Sequence, residues 1–285
     1  MPKIRPIDRL RSLLFAPAVR PDFIEKLSER EADAVVIDCE DATPAGAKAE
    51  ARSIIHSVVP AILGPRMQVF VRVNAVPSEW FEADVADGLV EGLSGIVVPK
   101  LESTTQVDRV VEALRRAGRS ELGILAGIET ALGVADARTL FAHPAIVGGY
   151  FGAEDFIADM GGVRTRDGDE VVYARSAVAL AARLAGVPAV DQIVADFRDD
   201  ERFREETHGA RAMGYAGKLC IHPRQVELAN EGFLPSVEEV EHARRLLDAY
   251  ERSSSAGVAA IDFEGQMVDE PLAAQARRVL ALARN

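Results

Sequence analysis

The 285-residue chain is poor in cysteine, with only Cys39 and Cys220. A disulfide-stapled scaffold, which needs several pairs in a short secreted chain, is excluded. No apolar run approaches the roughly 20 residues that span a bilayer, so no membrane partner is expected. Positive charge is in deficit: 33 Lys and Arg face 45 Asp and Glu, a formal net charge of −12. Nonspecific nucleic-acid binding needs clustered cations and is therefore not expected; an anionic ligand must meet a local basic group. HExxH, CxxC and clustered histidines are also missing, so zinc chemistry is not expected. What remains, 48% hydrophobic and 27% charged, is the composition of a globular protein with a full core. The opening "MPKIRPIDRLRSLLFAPAV" imitates a secretory signal, with basic residues, a short apolar run and A-P-A. Its apolar part is barely long enough for such a signal, so a first buried strand and a cytoplasmic protein are expected.

Eight short apolar runs rich in β-branched residues are bounded by turn residues. They are "RSLLFAPA" (11–18), "DAVVIDCED" (33–41), "QVFVRVN" (68–74), "GIVVPK" (95–100), "LGILAGIET" (122–130), "GGYFGAED" (148–155), "VPAVDQIV" (187–194) and "GKLCIHP" (217–223). Segments of helical periodicity lie between most of them. "AGAKAEARSIIHSVV", "TTQVDRVVEALRRAG" and "YARSAVALAARLAG" are the clearest, and the last two close on a helix-ending glycine. Strand then helix, eight times over, predicts an α/β fold, a TIM (β/α)8 barrel over residues 1–232. Residues 233–285 predict a C-terminal helical extension: a charged amphipathic helix, a Ser/Gly hinge, and a final helix "LAAQARRVLALAR". The hinge lets the extension cover its own barrel mouth or a neighbour's.

Reactive groups of such barrels sit at the C-terminal ends of the strands. The runs finish on Asp38, Glu40 and Asp41; Arg72 and Asn74; Lys100; Glu129; Glu154 and Asp155; Asp191; and His222. Together these predict a polar rim around one pocket. Glu129 and Asp155 end consecutive strands, so they are expected side by side. Two adjacent carboxylates repel, and either one holds a proton or a cation sits between them. Hard oxygen ligands suit Mg2+, which takes one or two protein carboxylates and keeps positions open for substrate. The plainer alternative pairs each acid with Arg72 or Lys100. Arg72 lies inside an apolar run and needs an anion: either Asp38, Glu40 or Asp41 on the adjacent strand, or a substrate carboxylate that its planar fork clamps. Lys100 invites a rival reading as a Schiff-base lysine, but neighbouring carboxylates keep a lysine protonated. His222 is expected to be structural, and the two cysteines fall too far apart to bridge.

Nine segments in order, "RSLLFAPAVRPDF", "DAVVIDCEDATPAGAK", "VFVRVN", "GIVVPK", "GIETALG", "YFGAEDF", "YARS", "GYAGKLCIHPRQ" and "FEGQMVDEP", resemble the citrate lyase β-subunit-like branch of the aldolase/citrate lyase family. That branch includes malyl-CoA, citramalyl-CoA and β-hydroxyacyl-CoA lyases. The resemblance covers nearly the whole chain. It implies a TIM barrel assembled into homo-oligomers (trimers or hexamers), Mg2+ as cofactor, and cleavage or formation of a carbon–carbon bond in a coenzyme A thioester, with acyl-CoA and keto-acid ligands. By motif it implies Glu129 and Asp155 as metal ligands and Arg72 as the substrate-carboxylate arginine. Backbone N–H groups at Gly152 and Ala153 would bind the remaining negative charge, and Asp269 of "GQMVDEP" would be a tail acid/base reaching a neighbour's pocket. Arg20 and Pro223 would flank the coenzyme. Ala18 stands where the family commonly has a glycine, and Cys39 where it often has an aliphatic residue. Two other readings stand beside this one: a metal-dependent aldolase of free 4-hydroxy-2-oxo acids, and a noncatalytic subunit of an acyl-carrier-protein lyase complex.

Overall fold

The structure, a computed structural model, describes residues 7, 9–65, 67–255, 257 and 259–283. The basic start of the signal-like segment lies mostly outside these residues. The segment's apolar part forms the first strand.

Eight parallel strands close into a barrel in sequential order. They are β1 (Ser12–Pro17), β2 (Ala34–Asp38), β3 (Gln68–Arg72), β4 (Gly95–Val98), β5 (Gly123–Ile128), β6 (Ile146–Phe151), β7 (Ala189–Asp191) and β8 (Gly217–Cys220). Every expected strand is present, several trimmed at their polar ends. The longest reduction is "VPAVDQIV", of which only Ala189–Asp191 pairs. Alternate residues fill the interior: Leu13, Val36, Phe70, Val97, Leu125, Tyr150, Val190 and Leu219 form one buried cluster, as the two-residue strand period requires. The three expected helices appear as Lys48–Ile62, Thr104–Arg116 and Val172–Ala185. Gly118 and Gly186 take φ of +71° and +73° where the last two stop, conformations that cost a side chain more than a glycine. Ser103 caps the Thr104 helix by accepting from Gln106 N.

Residues 231–285 form a second compact unit. Helices Val237–Ser255 and Glu270–Leu282 share a core of Ala243, Leu246, Leu247, Tyr250, Val268, Ala273 and Ala276. The expected Ser/Gly hinge is corrected in part. Ser253, Ser254 and Ser255 complete the first helix, and the Ser255 hydroxyl donates to the Glu251 carbonyl. A two-stranded hairpin follows, β9 (Ile261–Phe263) with β10 (Gln266–Val268), turning at Glu264 and Gly265 with φ of 52° and 81°, as a two-residue hairpin turn of the mirror-image type needs.

Candidate active site

The C-terminal ends of the strands surround a cavity of about 460 Å³, within the range of small-molecule sites. Asp38, Asp41, Arg72, Glu129, Glu154 and Asp155 contribute its polar wall, and Phe15, Ile193, Leu219 and Ile221 its apolar one.

Glu129 follows β5 directly and is 2% exposed. Among the described residues it has no ion-pair partner within 4 Å. One oxygen accepts the backbone N–H of Lys100 at 3.0 Å. Burial raises its pKa, and the charges of Arg72 and Lys100 only partly oppose this. Asp155 is not a strand end, as expected, but the third residue of helix Ala153–Met160. β6 stops at Phe151 because the chain turns into that helix. Asp155 nonetheless lines the same cavity, and its charge adds to the rise at Glu129.

Gly152 has a different job from the one expected. Its N–H already donates to the Ile128 carbonyl at 3.0 Å, so it is no ligand donor. Its missing side chain matters instead: a Cβ there would lie 2.6 Å from Glu129 Cγ and 2.7 Å from Oε1. Glycine is what lets the acid stand against the helix start. Ala153 and Glu154 open the helix, where N–H groups lack intrahelical acceptors.

Arg72 forks onto Asp38, Nε to Oδ1 and Nη2 to Oδ2, both at 2.7 Å. Its Nη1 lies 3.0 Å from Glu40 Oε2. The adjacent-strand pairing is therefore present, and of the five guanidinium hydrogens two engage Asp38. The Arg72 charge overcomes burial and holds Asp38 below its usual range. Lys100 donates to Glu40 at 2.5 Å and stands 3.5 Å from Asp155. Burial alone would lower its pKa, but Glu40, Glu129 and Asp41 raise it, which opposes a Schiff-base role. Lys100 has φ of +53°, a strained backbone of the kind that clusters at functional sites. Burial lifts the Glu40 carboxyl to about 7 against the pull of Arg72.

Behind this wall, Lys48 donates to the carbonyls of Cys39 (2.7 Å) and Glu40 (2.8 Å) and to Asn74 Oδ1 (2.8 Å). All three ammonium hydrogens are thus satisfied. Asn74 in turn donates to Asp84 Oδ2 at 2.6 Å. Neither Lys48 nor this arrangement was foreseen.

Five expected rim residues, Glu40, Asn74, Lys100, Asp191 and His222, do not line the cavity; Glu40 and Lys100 stand behind its wall, paired with each other. Asn74 belongs to the Lys48 network. Asp191 follows inward-facing Val190, so it points out of the barrel. It is fully buried there against Arg175 (2.8 Å) and Lys218 (2.9 Å), and Lys218 also reaches Glu206 at 3.1 Å. His222 stacks on Phe197 at 5.0 Å and accepts from Arg224 N, a structural role as expected. Arg20 forks onto Asp22 and lies 3.8 Å over Phe23. Pro223 opens helix Pro223–Gly232. Cys39 and Cys220 are free and buried. Asp269, in the second unit, occupies the N-cap of its final helix yet makes no side-chain cap bond.

One observation fits a hard cation between Glu129 and Asp155: Gly152 leaves space for the buried Glu129 carboxylate, which has no ion-pair partner within 4 Å among the described residues. Two carboxylates with an open cavity match the protein share of a Mg2+ shell.

A closed eight-stranded α/β barrel with paired acids and a buried arginine at its mouth defines a barrel enzyme of carbonyl chemistry. Residues 11–223 match the HpcH/HpaI aldolase/citrate lyase model, and the chain belongs to that family, whose members are carbon–carbon lyases. It is 50% identical to a citrate lyase subunit beta-like protein of Deinococcus radiodurans, over 95% of this chain and 96% of the other. Identity to the human mitochondrial citramalyl-CoA lyase is 31%, over 96% and 85%. A CitE protein of Mycobacterium tuberculosis, solved with magnesium, acetoacetate and coenzyme A, superposes with a TM-score of 0.82 at 33% identity, covering 96% of this chain and 98% of that one. No helix among the described residues is long and apolar enough to cross a membrane.

Proposed function

We propose that the protein is a Mg2+-dependent lyase of 3-hydroxyacyl thioesters of the malyl-, citramalyl- or citryl-CoA kind. It releases an acetyl-CoA-type thioester and a keto acid. The observation that carries the reading is Glu129, a buried carboxylate with no ion-pair partner within 4 Å among the described residues, facing a cavity it shares with Asp155. The magnesium, acetoacetate and coenzyme A of the Mycobacterium tuberculosis structure, and the name of the human relative, support the ligand class.

Glu129 and Asp155 hold the cation, which supplies Lewis-acid stabilisation of developing oxyanion charge, several kcal/mol in typical sites. Arg72, fixed by Asp38, turns its remaining hydrogens to the substrate carboxylate. The N–H groups of Ala153 and Glu154 take further negative charge. The apolar wall of Phe15, Ile193, Leu219 and Ile221 excludes water. In cleavage the 3-hydroxyl gives up its proton to the Asp269 carboxylate of a neighbouring copy, and the bond between the carbinol and α-carbons breaks. Its electron pair passes into a thioester enolate. Asp269 of a neighbouring copy in a homo-oligomer then gives the α-carbon its proton; in synthesis it removes that proton. Its unused cap position leaves the carboxylate available for this work. Arg20 and Pro223 flank the coenzyme, and the cytoplasm supplies its thioesters.

The test is a panel of malyl-, citramalyl-, citryl- and hydroxymethylglutaryl-CoA, followed by release of the short thioester with and without Mg2+. Glu129→Gln is expected to lose both calorimetric Mg2+ binding and turnover; full turnover in that variant sinks the assignment. Cleavage of free 4-hydroxy-2-oxo acids with no thioester turned over would favour the aldolase reading instead.

A further inference from the structure

Tyr150 is fully buried, and its hydroxyl has no hydrogen-bond partner of acceptable geometry among the described residues. A buried donor left unpaired costs about 1–3 kcal/mol, so an orphan in the wall of a ligand cavity needs an explanation.

The placement supplies one. β5 turns Leu125, Gly127 and Glu129 to the same inner side by the two-residue period, and Tyr150 on β6 stands in register with Gly127. A Cβ on Gly127 would lie 2.7 Å from the Tyr150 hydroxyl and 2.9 Å from Pro99 Cα. The phenol therefore crosses β5 at an inward position without a side chain, two residues before Glu129. The ring is held edge-on by Phe15 at 6.2 Å between centroids. Burial, then the charge of Glu129, keeps the phenol protonated and so a donor. One Glu129 oxygen already takes the Lys100 N–H, and the other packs on Gly152. The phenol and the Glu129 carboxylate are near enough for each to perturb the other as a side-chain hydrogen-bond partner.

We infer that Tyr150 is a positioning residue for Glu129: its O–H donates to the Glu129 carboxylate and fixes the rotamer in which that acid faces the cavity. The claim about the hydrogen bond stands without any metal, whereas its consequence for cation binding rests on the function proposed above.

The experiment is Tyr150→Phe, which keeps the ring and removes the hydroxyl. In metal-free protein, the infrared carboxylate band that disappears in Glu129→Gln is expected to shift in Tyr150→Phe. Calorimetric titration with magnesium chloride is expected to show about tenfold weaker binding, the scale of losing one hydrogen bond to a charged group. An unmoved Glu129 band overturns the inference. So does a shift confined to the band that Glu40→Gln removes, which would assign the phenol to Glu40. A shifted Glu129 band with unchanged magnesium affinity overturns the positioning role. If the wild type binds no magnesium, the metal reading fails, and the infrared band alone decides whether the hydrogen bond exists.

Discussion

Gly152→Ala isolates the most specific packing relation at the mouth. The backbone at 152 has φ −103° and ψ 95°, which alanine adopts without strain, so the substitution acts through one added methyl. That methyl would stand 2.6 Å from Glu129 Cγ and 3.1 Å from Cδ, whereas carbon atoms prefer about 3.5–4.0 Å. Glu129 must retreat by about 1 Å on this packing distance, or the helix start must move with Ala153 and Asp155. Retreat is hindered because the side chain is 2% exposed and tied to the Lys100 N–H. Overpacking of this kind costs about 1–3 kcal/mol of stability. A 1 Å misplacement of a catalytic group costs about 100-fold in rate. Thermal melting, magnesium calorimetry and kcat/KM on the thioester that proves to be cleaved best would be measured together. The expected result is a melting point lower by a few degrees, weaker Mg2+ binding and kcat/KM down about 100-fold. Adding Glu129→Asp, one methylene shorter, should recover the melting point but not the activity. Wild-type magnesium affinity and kcat/KM in Gly152→Ala would refute the reasoning.

Asp269→Asn is expected to bind magnesium and keto acid normally yet lose enolisation, seen as loss of deuterium exchange at the α-carbon of acetyl-CoA; undiminished exchange rules the role out. Asp191→Asn breaks a buried pair and should cost about 3–5 kcal/mol at neutral pH. Burial alone would raise the pKa of Asp191, but Lys218 and Arg175 outweigh it and hold it low. Its contribution is therefore complete above the unfolded carboxyl pKa of about 3.9 and is lost as pH falls toward the depressed folded value. The melting-point gap between wild type and Asp191→Asn should narrow below about pH 4; a gap independent of pH would show that the ion pairs are not its source.

The barrel was legible because eight β-branched runs recur with helices between them, and local periodicity suffices for that inference. The pair Glu129 and Asp155 was legible as acids closing apolar runs. Strand parity separates what was found from what was missed. Val36 and Asp38, Phe70 and Arg72, and Leu125 and Glu129 share inward phase, so their polar members reach the cavity. Asp191 is one residue out of phase with Val190, and that single step sends it among the helices. Counting in twos from each buried aliphatic would have removed it from the rim. Tyr150 and Gly127 were hidden because their relation depends on register between two strands. The role of Gly152 was misread because its N–H partner, the Ile128 carbonyl, lies across the sheet. Lys48 opens a helix whose periodicity marks it only as a helix residue; nothing local says that its ammonium turns inward.

That ammonium couples two connections of the barrel. The Cys39 and Glu40 carbonyls belong to the turn after β2, and Asn74 to the one after β3, so both turns hang from a single point. Lengthening either would detach the other, whereas exchanging the cavity-lining side chains of Asp41 or Ala42 leaves the anchorage alone. Evolutionary retuning of ligand choice on this side of the mouth is thereby channelled into side-chain replacement rather than insertion.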